Sequence, residues 1–145
     1  GIMTELLKMI NSMKKLYDHL CLEVCNKYQL TKVELDILLF LHNNPSYDSA
    51  KDIVEKRGII KSHASLGIEK LVKKNCLEVS QDEKDRRRYH LHLTARTLPM
   101  IEDGLVAQKK FHEILYHDFN EEERMMVKTL FKRMYINIIN EEEKK

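Results

Sequence analysis

The hydrophobic pattern of this chain changes period between Asn75 and Leu77 and changes back after Thr94. On either side, apolar residues recur at steps of three and four, the spacing of amphipathic helices. In between, Leu77 and Val79 alternate with Glu78 and Ser80, and Tyr89, Leu91 and Leu93 alternate with Arg88, His90 and His92, the period of half-buried strands. A chain interrupted once in this way folds as a mainly α domain with a small β-hairpin. Pairing Val79 with Tyr89 and Leu77 with Leu91 centres the hairpin on Lys84 and leaves Asp82 to Arg88 as an exposed tip. That tip holds three acidic and four basic side chains in seven positions. Cations crowded so closely repel one another unless they face an anionic partner or pair with neighbouring carboxylates.

The segments before the hairpin carry their own start and stop signals. Leu6, Ile10, Met13, Tyr17, Leu20 and Val24 mark one stripe of a long helix ending near Tyr28. Thr31 and Glu34 form a capping box, with Leu30 and Leu35 at staple positions, and the helix they open runs to about His42. Ser49 and Asp52 cap a short helix closed by Gly58 as its left-handed exit. Another covers Lys61 to Lys74, with Ala64, Ile68, Leu71 and Val72 on its buried side and Asn75 in the left-handed turn that follows. Short helices in close succession, the last two joined by a Gly turn, read as a helix-turn-helix. Followed at once by a basic hairpin they read as a winged helix, in which a helix enters a major groove and the hairpin reaches the adjacent backbone or minor groove.

Downstream, Pro99 removes a backbone donor, so the next helix begins near Thr97 or bends; it passes Leu105, Phe111 and Leu115 to about His117. The last helix starts at Asn120, with Glu121, Glu122 and Glu123 in its positive first turn. Met126, Leu130, Met134 and Ile138 form one stripe along it, and Val127, Phe131, Tyr135 and Ile139 form a second beside it. Two stripes exceed what one wall of a small core needs, so another chain is expected to cover the excess.

At 145 residues the chain is long enough for one domain with a sizeable core. Its formal charge of +2 is unevenly spread. Between Lys51 and His90, basic residues stand at 51, 56, 57, 61, 70, 73, 74, 84, 86, 87 and 88 and acids at 52, 55, 69, 78, 82, 83 and 85, a surplus of four. The remainder is net negative. Cys21, Cys25 and Cys76 form no disulfide framework, which points to a reducing cytoplasm, and no apolar run approaches the roughly twenty residues that span a bilayer. Without a Gly-rich phosphate loop, a nucleophile elbow or paired zinc-binding histidines, an enzyme is not expected; neither is a cofactor or a metal.

The order of elements together with the tip resembles the MarR family of bacterial winged-helix regulators. The family's wing pattern D-x-R-D-x-R stands here as Asp82, Lys84, Asp85 and Arg87, followed by a strand ending at Leu93 and Thr94. The resemblance covers the whole chain, 1–145, as one domain: a winged lobe at 31–94 between dimerisation helices at 3–28 and 97–140. It implies a homodimer that binds a pseudo-palindromic operator in double-stranded DNA, usually as a transcriptional repressor released by a small-molecule effector. Carried over by position, Lys61, Ser62, His63 and Ser65 face DNA from the recognition helix, and Lys84, Asp85, Arg86 and Arg87 from the wing, Arg87 being the minor-groove residue braced by Asp85. The chain departs from the family at Ile60, which replaces a polar cap, and at Leu66, Asn75 and Thr97; Gly67 weakens the helix by roughly 1 kcal/mol relative to Ala.

An effector pocket, where present, is expected near Tyr17, Leu20, Leu38, Phe40 and Phe111. Arg88 is placed to pair with Glu78 across the hairpin, and Lys70, Lys73 and Lys74 read as a solvated face. Alternatives within the same fold are a redox- or metal-responsive regulator using Cys21 and Cys25, which read more simply as small core residues, and a winged helix that binds protein.

Overall fold

A computed structural model describes residues 1–144. The elements are helices α1 (Ile2–Tyr28), α2 (Lys32–Asn43), α3 (Ala50–Asp52) and α4 (Lys61–Lys73), strands β1 (Leu77–Gln81) and β2 (Tyr89–Leu93), and helices α5 (Leu98–Leu115) and α6 (Glu121–Glu143). α3 continues as a π-turn over Ile53–Arg57, and a 3-10 turn at Ala95–Thr97 leads into α5. Pro99 thus falls in the first turn of α5, where the missing donor is tolerated. The chain divides into two compact units, the first ending at Phe111 and the second beginning at His112.

The first unit is organised around α2. Leu35, Ile37, Leu38 and Leu39 are essentially inaccessible, and Phe40 and Leu41 are nearly so. A helix apolar on all sides is stable only when elements cover it on several faces. α1 contributes Cys21, Val24 and Cys25, α4 contributes Ala64 and Leu71, and the base of the hairpin contributes Leu77 and Leu91. The capping box forms as the sequence indicates: Thr31 Oγ1 accepts the Glu34 amide at 3.1 Å and Glu34 Oε1 accepts the Thr31 amide at 2.8 Å.

Glu34 is wholly buried, and its charge is met by Lys74 Nζ at 2.8 and 3.2 Å from its two oxygens. The same ammonium donates to the Gln29 carbonyl at 2.8 Å. Lys74 therefore ties the ends of α1 and α4 to the start of α2, and is not part of a solvated face. Its remaining exposure lets the pair keep partial hydration, which lowers the desolvation cost of burying a carboxylate.

Gly67 has a reason its helix propensity hides. A Cβ there would stand 2.8 Å from Ile37 Cδ1 and 3.2 Å from Val33 Cγ1, so α4 lies so close to α2 that a side chain here would require Ile37 to shift. Val72, expected on the buried side, is exposed, and Gly67 occupies the contact in its place. Gly58, at φ 79, makes the left-handed exit from the π-turn.

The hairpin forms with a different register from the one its alternation suggests. Leu77 pairs with Leu93, Val79 with Leu91 and Gln81 with Tyr89, which moves the centre from Lys84 to Asp85. A slip of two leaves every side chain on its own face, so alternation cannot detect it. The loop chemistry decides instead: Asp82 Oδ2 accepts the amides of Lys84 at 3.0 Å and Asp85 at 2.7 Å, and the Arg88 amide closes on the Asp85 carbonyl at 3.0 Å. Only the base of the hairpin is covered; Val79 and Tyr89 are exposed.

In the second unit, Asn120 caps α6, accepting the Glu123 amide at 2.8 Å while Glu123 accepts the Asn120 amide at 2.8 Å. No residue of α6 is buried. Among the described residues, no helix is long and apolar enough to cross a membrane.

Replacing Gly67 by Ala is expected to destabilise the fold by about 1 kcal/mol: overpacking of about 1–3 kcal/mol exceeds the roughly 1 kcal/mol of helix propensity gained. Denaturant unfolding measures the difference, and a rise in stability would contradict the close approach of α4 to α2.

Candidate nucleic-acid interface

Two exposed surfaces carry the residues singled out by the sequence. On α4, burial of Ala64, Gly67 and Leu71 turns Lys61, Ser62, His63 and Ser65 outward, and all four are exposed. Ile60 at the N-cap makes no side-chain cap bond, so the first-turn amides keep their hydrogen-bonding capacity at the positive end of the helix dipole.

The wing is the second surface. Arg87 is 93% exposed, yet it is not free: its Nε donates to Asp85 Oδ1 at 3.2 Å and its backbone amide donates to the same oxygen at 3.1 Å. Lys84 and Arg86 project into solvent beside it, and Gln81 Nε2 holds the Arg86 carbonyl at 2.7 Å. The brace expected between Asp85 and Arg87 is thus formed without occupying the guanidinium's remaining donors.

Asp82 organises the tip. Besides accepting two backbone amides through Oδ2, it meets His90 Nε2 through Oδ1 at 2.7 Å. These bonds, the Asp85 amide foremost and His90 next, hold its carboxyl down at about 2. His90 reaches the other way through Nδ1, 2.8 Å from Asp48 Oδ2 in the turn before α3. Its own pKa is raised, first by Asp82 and then by Asp48. The backbone follows the same path, since the Leu91 amide donates to the Asp48 carbonyl at 2.8 Å.

Arg88 does not pair with Glu78. The shifted register sets Glu78 opposite His92, and the Arg88 guanidinium lies 3.8 Å from Asp48 and 3.9 Å from Asp52. It helps to hold the wing to the turn and to α3.

The residues expected to line an effector pocket stand in different surroundings. Leu38 is fully buried in the core, and Phe111 packs edge-on against Tyr17 with ring centroids 5.2 Å apart. Tyr17 and Phe40 line one cleft of about 210 Å³, while Leu20 lines another of about 340 Å³ with Val24, Lys27, Asp103, Val106 and Lys110. Burial pushes Tyr17 up to about 12. It also raises the thiols of Cys21, Cys25 and Cys76, which opposes the thiolate form that redox sensing needs.

The sequence profile of the MarR family matches residues 28–88. No curated protein matches the chain. Among solved structures, a MarR protein from Peptoclostridium difficile is similar at 23% identity and a TM-score of 0.79, over 94% of this chain and 88% of that one. A MarR transcriptional regulator from Methanosarcina mazei is similar at 21% identity and a TM-score of 0.77, over 94% of this chain and 98% of that one. A MarR family transcriptional regulator from Listeria monocytogenes, solved in complex with a 26mer DNA, is similar at 18% identity and a TM-score of 0.81, over 94% of this chain and 89% of that one.

Proposed function

We propose that this chain, a MarR-family winged helix by the match of residues 28–88 and by its fold, is a transcriptional repressor that binds a pseudo-palindromic operator as a homodimer. The observation that carries the reading is the pairing of two outward-facing surfaces on one lobe. α4 presents Lys61, Ser62, His63 and Ser65 at a helix start, and the wing presents Arg87 almost fully exposed but held in place by Asp85. A helix end with available amides suits phosphate contact, and an arginine held in advance loses less freedom on entering a minor groove. The DNA held by the similar Listeria protein supports the same assignment.

Dimerisation is supported by apolar surface that each unit leaves uncovered. In the first, Met3, Leu6, Leu7 and Ile10 at the start of α1 are more than half exposed; in the second, Met126, Phe131, Met134 and Tyr135 are too. Contiguous apolar surface on this scale marks an interface, and a second copy supplies an equally apolar partner. The cleft of about 340 Å³ beside Leu20 and Val24 is within the range for a small organic ligand and is where an effector that releases DNA is sought.

Binding to the DNA upstream of its own gene is expected to weaken about 10³- to 10⁵-fold between about 50 and 200 mM salt, as for neutralisation of about six to ten phosphates. Arg87→Ala is expected to cost about 1–3 kcal/mol of affinity with the fold intact. A mobility-shift titration at the two salt concentrations measures both, and salt-independent binding would contradict the proposal. In sedimentation, the protein is expected at twice its 17.3 kDa and Phe131→Glu at 17.3 kDa with its helical signal retained. A wild-type monomer at working concentration would contradict the dimer.

A further inference from the structure

One group in the wing is joined to the helical body in a manner that depends on its charge. His90 stands on β2 between two carboxylates from separate parts of the fold: Asp48, in the turn before α3, and Asp82, in the wing loop. Both ring nitrogens are engaged, at 2.8 and 2.7 Å. A neutral imidazole has a single N–H, so only the imidazolium can donate to both carboxylates at once. With the proton gone, one carboxylate faces a nitrogen lone pair and that contact becomes repulsive.

The contact is the joint in a continuous chain of hydrogen bonds. Asp48 holds His90, His90 holds Asp82, Asp82 holds the amides of Lys84 and Asp85, and Asp85 holds Arg87. Each link is a side chain meeting its neighbour between 2.7 and 3.2 Å. Breaking it at His90 leaves the tip with its internal bonds and, as side-chain ties to the body, only the longer Arg88 contacts to Asp48 and Asp52 at 3.8 and 3.9 Å.

We propose that protonated His90 is the positioning residue that clasps the wing to the helical body, and that loss of its proton releases the tip that carries Arg87. The consequence for DNA rests on the wing being a DNA contact, as read above; the clasp does not. The charged and titratable groups facing His90 are Asp82 and Arg88 in the wing, Asp48 in the turn, Asp52 on α3, near Arg88, and His92 on the same strand, its ring centroid 6.5 Å away. Arg88 draws on the Asp48 carboxylate too, from 3.8 Å and through the other oxygen, and this opposes the proton on His90 without displacing it.

The pH window follows from the directions of the shifts. The pKa of His90 is raised in the folded chain, so the clasp is complete below the ordinary histidine value and is lost as pH rises through the folded value. Asp82 is lowered to about 2, so its side of the clasp fails only in strong acid. The wing is therefore held in mild acid and loosened as pH rises through the folded His90 value.

The test is a titration of the full chain by NMR, following the His90 ring and the backbone amides of Lys84 and Asp85. In the wild type these are expected to move together, with a midpoint above that of an ordinary histidine. Asp82→Asn can still accept the two amides through its side-chain oxygen while turning its NH2 toward a neutral His90. In that variant the midpoint is expected to fall and the amides to stay flat. Amides that ignore the His90 titration in the wild type would overturn the clasp.

A second arm measures anisotropy of a labelled mixed-sequence duplex at about pH 6 and about pH 8, the range in which histidine switches. Wild type is expected to bind less tightly at the higher pH. His90→Gln is expected to lose less. Equal losses in both proteins would overturn the clasp as a control on binding. Joint titration without any DNA binding would support the clasp and sink the proposed function.

Discussion

The structure depends on the burial of α2. Leu35, Ile37, Leu38 and Leu39 leave that helix no solvent-facing apolar stripe, so α1, α4 and the hairpin must each dock on it. The start of the helix is fixed by Glu34, which is buried and closes the capping box while accepting Lys74 from the end of α4. On the flank, Gly67 lets α4 approach to where any side chain would collide with Ile37. The outward face of α4 is thus set from the inside: the glycine and the ion pair determine where Lys61, Ser62, His63 and Ser65 point.

The wing obeys a different constraint, because little of it is buried. Val79 and Tyr89 are exposed, and the tip has no apolar anchor. Charge takes that place. Asp82 and Asp85 neutralise part of the cationic run and also accept backbone and side-chain donors that shape the loop. Two of the three acids that seem to dilute a basic patch in the sequence, Asp82 and Asp85, are what shape the loop and hold Arg87. Electrostatic order of this kind is sensitive to pH and salt in a way the α2 core is not.

Local signals were legible and distant ones were not. The capping boxes at Thr31, Ser49 and Asn120 and the left-handed exits at Gly58 and Asn75 join residues at most five apart and stand where the sequence put them, while the brace between Asp85 and Arg87 is one that the family resemblance implied. The register of the hairpin was misjudged by two because alternation is blind to an even slip. Lys74 reads as solvated because its partner Glu34 lies 40 residues away, and no local signal marks His90, whose partner Asp48 lies 42 residues away. Gly67 read as a weak point because propensity takes no account of what lies across the helix interface. The expected pocket residues share an apolar character that suits a core as well as a cavity, and Leu38 is core.

On the proposed reading, α4 and the wing act together on one duplex, held in fixed relation by the body between them. Hydroxyl-radical footprinting on bound DNA tests it most directly, since it reports protection along both strands. In each of two half-sites about one helical turn or a multiple of it apart, a protected major-groove segment flanked by a protected minor groove is expected. The flanking protection should vanish when the wing arginines are removed. A single uniform patch of protection, indifferent to those arginines, would contradict it.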